Sequence, residues 1–229
     1  MSIKYYLVGG AVRDKLMNLK PKDLDYSCEA ESYEAMRDDI IARGGTIFLE
    51  TPKYFTIRAK MPVLGAADFV LARRDGAYTD GRRPDEVSAG NIIDDISRRD
   101  FTINAIAENV ETGEIVDPFD GREDIILKVI RCVNNADTRF TEDSLRMLRA
   151  IRFSITKGFE INGEIVSCLN NYKYVDLLKN VSVERIREEL VKCFAHSTPD
   201  TIAALNRYPK VRDFVFASGN LILVPTIRN

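Results

Sequence analysis

The chain has 229 residues, 45% of them hydrophobic, enough to bury a real core as one large domain or two small ones. Its formal charge of -2 excludes a generally basic coat, so any RNA contact must come from a local patch of Lys and Arg. Cys28, Cys132, Cys168 and Cys193 are widely spaced with no Cys-x-x-Cys, and His196 is the single histidine, which argues against a zinc cluster, a disulfide framework or a histidine-activated nucleophile.

Residues 5–8 predict a short buried strand, Gly9-Gly10 a tight turn and residues 11–18 a helix, whose N-terminus would favour an anion. A strand over 23–28 follows, then a helix over 32–43 stopped by Gly44-Gly45, and strands over 46–50, 55–60 and 68–73. The run 74–85 is rich in charge, glycine and proline without apolar periodicity, and is expected to be a mobile loop. Segment 98–110 begins polar and becomes apolar, and 111–114 predicts a hairpin turn into 115–118. From about Arg122 the pattern turns helical, over 123–133, 141–156, 163–178, 182–195 and 199–207. Ser182 is placed as an N-cap with Glu184 in the first turn, and His196 in a loop. The apolar run 221–224 is expected to pack rather than dangle. The change of pattern divides the chain into a mixed domain over 1–137 and a helical domain over 138–229. The first ten residues do not read as a leader, and no run of about 18 apolar residues occurs, so an unprocessed soluble protein of a reducing cytoplasm is expected.

Asp23 and Asp25, in Lys22-Asp23-Leu24-Asp25, stand at i and i+2 on one face of a predicted strand. Two such carboxylates could share divalent cations, although Asp-x-Asp alone is also a common solvated edge. Asp68 could supply a third carboxylate from a neighbouring strand or be a strand-edge charge. Arg98 and Arg99 precede a buried segment, where a guanidinium can grip a phosphate with two hydrogen bonds; ordinary surface arginines are the alternative. Asp143, Arg146, Arg149 and Arg152 recur every three residues, one turn apart on a predicted helix, opposite Leu145, Leu148 and Ile151. Like charges so placed cost a few tenths of a kcal/mol per pair, which an anion or a solvated face with acidic neighbours would relieve.

Taken in order, Leu7-Val8-Gly9-Gly10-Ala11-Val12-Arg13-Asp14, Lys22-Asp23-Leu24-Asp25, Arg98-Arg99-Asp100-Phe101-Thr102-Ile103-Asn104-Ala105, Asp117-Pro118-Phe119-Asp120-Gly121 and the segment 139–153 form a recognisable series. With 183–190 as a further helical motif, residues 3–195 resemble the class II tRNA nucleotidyltransferases, or CCA-adding enzymes, and the related bacterial poly(A) polymerases of the polymerase-beta-like nucleotidyltransferase superfamily. The resemblance implies an α+β fold: a nucleotidyltransferase head of mixed sheet and flanking helices, then a helical neck and a minimal body. It implies that Gly9, Gly10, Arg13, Arg99, Asp100 and Asn104 bind the nucleotide, that Asp23 and Asp25 hold Mg2+, and that Asp68 is a third catalytic acid and candidate base. Asp143 and Arg146 would read the incoming base, with Arg149 and Arg152 helping to hold the nucleotide.

That base reading has a simple chemistry. Cytosine and adenine each present an amine donor beside a ring-nitrogen acceptor, suiting a carboxylate and a guanidinium, whereas uracil and guanine set a carbonyl against Asp143. A buried mismatch costs about 1 to 3 kcal/mol per unpaired group. The implied activity is addition of CMP and AMP from CTP and ATP to the 3' end of tRNA, and the loop 74–84 resembles one that assists the switch from C to A. Family members usually continue into body and tail domains; here 34 residues follow Ala195, so a minimal body, a homodimer partner or a different RNA is expected to complete recognition. An enzyme adding only A or only C, and a non-catalytic RNA-binding module, are the alternatives, the second disfavoured by the intact Asp23 and Asp25.

Overall fold

The computed structural model describes residues 3–76 and 85–217, which fall into two units dividing at Leu127 and Lys128. The first contains, in order, β1 (Lys4–Val8), α1 (Gly10–Leu16), β2 (Asp25–Glu29), α2 (Tyr33–Ala42), β3 (Thr46–Thr51), β4 (Thr56–Met61) and β5 (Gly65–Leu71). It continues with β6 (Arg73–Asp75), β7 (Val87–Ala89), α3 (Ile92–Ser97), β8 (Ala107–Asn109), β9 (Ile115–Val116) and α4 (Gly121–Leu127). Among the described residues seven strands join one sheet in the order β3-β4-β5-β2-β1-β8-β9, and only β2 and β5 pair in parallel.

Strand alternation decides which face of this sheet is filled. Tyr26 and Cys28 of β2, Ile57, Ala59 and Met61 of β4, and Ala67, Phe69 and Leu71 of β5 turn to one side, where Tyr33, Met36 and Ile40 of α2 complete the core. Tyr26 stacks on Phe69 at 5.2 Å between ring centroids. The intervening residues Asp25, Arg58 and Asp68 therefore stand together on the other face.

The motif Asp117-Pro118-Phe119-Asp120-Gly121 proves to be a docking device. Both Asp117 carboxylate oxygens accept backbone N–H groups, from Gly121 at 2.8 Å and Arg122 at 2.9 Å, and so cap α4. A Cβ on Gly121 would lie 2.2 Å from the backbone oxygen of Thr102, so glycine alone admits this approach. Thr102 Oγ1 in turn donates to buried Asp124 at 2.6 Å, tying α4 to the short 3-10 turn Thr102–Asn104.

The second unit comprises β10 (Val129–Ile130), α5 (Ala136–Glu142), α6 (Leu145–Lys157), β11 (Glu160–Ile161), α7 (Gly163–Leu169), α8 (Tyr172–Val175), α9 (Val183–His196), α10 (Thr198–Arg207) and α11 (Pro209–Ala217). It is helical apart from β10 and β11, which pair in parallel. Central α6 buries Leu145, Met147, Leu148, Ile151 and Phe153 and packs on α9.

Several expected elements are shorter or broken. The helix over 123–133 ends at Leu127 because Lys128 takes a left-handed φ of 56°, after which the chain extends into β10. The helix over 141–156 is interrupted at Asp143, whose φ of -147° and ψ of 99° are extended. That over 163–178 splits into α7, α8 and a 3-10 turn. Ser182 has extended backbone before α9 but makes no side-chain cap bond, and His196 is the last residue of α9 rather than a loop residue. All four cysteines are buried free thiols. Residues 77–84 of the expected mobile loop and the run 221–224 lie outside the described residues.

Candidate active site

In the first unit, the turn after β1 is built on Gly9, with φ 68° and ψ -132°, a conformation closed to most side chains. Gly9 N donates to the Ile106 carbonyl at 3.3 Å, and a Cβ there would stand 2.6 Å from Arg99 Nη1, so the turn and Arg99 lie against each other. Gly10 opens α1, and Arg13 one turn later is buried. Arg13 donates to Asp14 Oδ1 through Nε at 2.9 Å and to Asn104 Oδ1 through Nη1 at 2.5 Å. Asn104 Nδ2 donates to Asp100 Oδ1 at 3.0 Å, and the same oxygen accepts from Phe101 N at 2.8 Å. Gly9, Gly10, Arg13, Arg99, Asp100 and Asn104 are thus one connected wall.

Arg99 is oriented by a residue that motif reading passed over. Asp95, fully buried in α3, accepts from Arg99 Nη2 at 3.1 Å and from Arg98 Nη2 at 2.6 Å. Burial alone would raise the Asp95 pKa, but the Arg98 and Arg99 guanidiniums outweigh it and hold the carboxyl below its ordinary value. The signal was present in the sequence, since Asp95 stands three and four residues before Arg98 and Arg99.

Asp25 faces Asp68 directly in the parallel β2–β5 pairing, so the two carboxylates stand side by side on the open face, while Asp23 precedes the strand. Burial, followed by the charges of Asp68 and Asp23, pushes the Asp25 pKa up against the opposing pull of Arg99 and Arg58. Asp68 receives two hydrogen bonds from Arg58 across β4, Nε to Oδ1 at 2.5 Å and Nη2 to Oδ2 at 2.7 Å. Among the described residues no three His, Cys, Asp or Glu side chains converge as a closed metal cage. The donor set nevertheless fits Mg2+, which keeps several waters and takes one or two carboxylates plus substrate phosphates. A cation would offset the burial and, after it, the Asp68 and Asp23 charges that push Asp25 up.

In the second unit, Asp143 stands in the break between α5 and α6. Its Oδ1 accepts from Leu145 N at 3.1 Å and its Oδ2 from Arg185 Nη2 of α9 at 3.2 Å. Arg146, the second residue of α6, is buried and donates through Nη1 to Glu142 Oε2 at 3.0 Å and to the Arg139 carbonyl at 3.3 Å. Arg152 donates to Glu189 Oε2 of α9 at 2.5 Å and lies 4.0 Å above the Phe153 ring, with Arg149 5.6 Å from the same ring. The regular arginine spacing therefore divides into local pairings with Glu142, Phe153 and Glu189 rather than a single stripe. Burial would raise Glu189, but Arg152 first, then Arg149 and Lys192, hold it below its ordinary value.

A profile described as the Poly A polymerase head domain matches residues 5–131, more than half of the chain. The chain belongs to the poly A polymerase head domain family. Residues 158–207 match a second profile, described as "Probable RNA and SrmB-binding site of polymerase A". A CCA-adding enzyme of Lactobacillus johnsonii is 38% identical over 195 residues, covering 82% of this chain and 45% of the relative. Among solved structures, the Bacillus stearothermophilus CCA-adding enzyme in complex with CTP superposes with a TM-score of 0.76 at 33% identity, over 90% of this chain and 47% of that one. The Thermotoga maritima CCA-adding enzyme complexed with tRNA gives a TM-score of 0.75 at 27% identity, over 94% and 48%. The chain thus spans about half the length of the curated relatives it matches, and its α+β architecture is that of these neighbours.

Proposed function

We propose that the chain transfers CMP and AMP from CTP and ATP onto the 3' end of tRNA, with release of pyrophosphate. The observation that carries this reading is the register of Asp25 and Asp68 on the open sheet face, with Arg99 between these acids and the Gly9 turn. The relatives' names and the CTP and tRNA complexes of the structural neighbours point the same way.

Gly9 and Gly10 let the backbone approach a triphosphate closely, and Arg13 and Arg99 match phosphate oxygens with planar guanidinium forks. Asp95 fixes the Arg99 fork before the nucleotide arrives, so less conformational freedom is lost on binding. Asp23 and Asp25 would hold Mg2+, which when bound supplies charge neutralisation and activation of a terminal hydroxyl. Asp68 stands beside Asp25 to accept the proton of the attacking 3'-hydroxyl, with Arg58 orienting its two oxygens.

Asp143 presents an acceptor and Arg146 its donors to the Watson–Crick edge of the base, the pairing that favours cytosine and adenine. Arg185 holds the Asp143 carboxylate and Glu142 holds Arg146, so both readers are oriented without a nucleic-acid template.

The test is to incubate tRNA lacking its 3' terminus with CTP, ATP and both, and to sequence the product ends. The reading expects CC with CTP alone and CCA with both; A alone or C alone in every mixture would assign a single-nucleotide polymerase. Asp25→Ala should abolish every incorporation, whereas Asp143→Ala with Arg146→Ala should retain transfer but lose the preference over UTP and GTP. Unchanged base choice in the double variant would refute reading by these two side chains.

A further inference from the structure

The sheet face that carries the acids does not end at Asp68. Asp25 of β2 faces Asp68 of β5, Asp68 faces Arg58 of β4, and Arg58 faces Leu49 of β3, so one row crosses four strands in register. At the usual strand separation the row is about 14 Å long. A β-bulge between Ile47 and Leu49 sets two residues, Phe48 and Leu49, against the single Arg58. A regular strand would send Phe48 and Leu49 to opposite faces; with the bulge both are exposed, and neither joins the core on the other side of the sheet.

Their exposure is unusual for a sheet residue of this size, 56% for Phe48 and 55% for Leu49. On the opposite face Ile57 and Ala59 of β4 are fully buried in the core. Cations border the patch, since Arg58 is half exposed and Lys60, two residues on along β4, is exposed. Arg58 bonds Asp68 with Nε and Nη2, which leaves Nη1 outside that pair.

We propose that this row is a subsite for the single-stranded 3' end of the RNA acceptor, with the Phe48 ring as a stacking platform a few nucleotides upstream of the terminal hydroxyl. The proposal rests on the nucleotidyl-transfer reading and adds where the acceptor strand lies. The combination fits RNA because bases of any identity stack on an aromatic ring while their phosphates meet cations along one track. The row also ends at the acids, where the 3'-hydroxyl must stand. A second copy of the chain pairing along the β3 edge would be hindered by the same bulge, which interrupts the edge ladder.

The experiment measures binding without nucleotide, by fluorescence anisotropy at fixed salt, of a labelled tRNA transcript lacking CCA and of a short single-stranded RNA with the same 3' sequence. Phe48→Ala should weaken both by roughly 5- to 150-fold, the range of one lost stacking contact. Phe48→Tyr should restore binding, while the KM for CTP, the melting temperature and the solution mass stay unchanged. Equal affinity of Phe48→Ala and wild type, or no affinity of wild type for either RNA, overturns the subsite. So does a fall in solution mass for Phe48→Ala with RNA affinity intact, which assigns the patch to a second copy. Wild-type protein that shows the Phe48-dependent binding but incorporates no nucleotide would support the subsite and sink the transfer reading.

Discussion

Replacing Gly9 with alanine probes how far the glycine turn and Arg99 act as one device. Two separate penalties follow from the geometry. The backbone at φ 68° and ψ -132° costs a non-glycine residue about 1 to 3 kcal/mol. That should lower the first unit's melting temperature by about 4 to 12 °C. The new Cβ also meets Arg99 Nη1 at 2.6 Å, and because this is the end of a long side chain, Arg99 should yield rather than the backbone. On the proposed reading, displaced Arg99 would no longer donate to the nucleotide phosphate, a charged contact of about 1.5 to 3 kcal/mol. In kcat/KM for CTP that is a loss of roughly 10- to 150-fold.

A double-variant cycle separates the penalties. Arg99→Ala alone should lose a similar factor of activity without the backbone term. Added to Gly9→Ala it should cost little further activity, because the contact is already gone. The assay is incorporation of labelled CMP into a tRNA transcript lacking its 3' end, with thermal unfolding in parallel. If the activity losses of the two single variants add within about 0.5 kcal/mol, the sites are independent and the steric coupling is wrong.

Two further outcomes test the scaffold. Glu189, buried and paired with Arg152, has its pKa held below the ordinary glutamate value of about 4.3, so its pair contributes stability above that pH and loses it as pH falls through the lowered value. Glu189→Gln should therefore destabilise the second unit by about 3 kcal/mol at neutral pH, with the deficit shrinking below about pH 4 in urea unfolding; a deficit independent of pH would exclude the ion pair as its source. Gly121→Ala places a Cβ 2.2 Å from the rigid Thr102 carbonyl and should cost about 3 kcal/mol, and circular dichroism melts identical to wild type would contradict the close packing of α4.

Elements governed by local pattern were legible in the sequence. The strands over 5–8, 23–28 and 55–60 appear as β1, β2 and β4 within two residues, because alternation and turn residues are local signals. Pairing was not legible: nothing near Asp68 indicates that its parallel partner is Asp25, 43 positions earlier by the numbering, and still less that Arg58 would bind it. Ile125, Ile126 and Val129 continue a helical apolar spacing past the point where Lys128 turns left-handed, which is why β10 read as helix. Asp95 was readable from its spacing to Arg98 and Arg99, but its full burial, which makes that spacing matter, is a property of the packed fold.

The break at Asp143 alters what base recognition requires of the chain. On a continuous helix, Asp143 and Arg146 would be surface side chains one turn apart, each free to move along a solvated face. In the observed fold Asp143 precedes α6 with extended backbone, its Oδ1 accepting the Leu145 N–H that α6 leaves unsatisfied. Both of its oxygens are thus engaged as acceptors, Oδ1 by the Leu145 N–H and Oδ2 by Arg185. Arg185 removes the remaining rotational freedom from one side, and Glu142 fixes Arg146 from the other. If Asp143 and Arg146 read the base as proposed, an acceptor and a donor held this way would discriminate by leaving the wrong base unpaired, and the discrimination would depend on their partners as much as on themselves. On the proposed reading, base choice would rest on four side chains, Glu142 of α5, Asp143 in the break, Arg146 of α6 and Arg185 of α9.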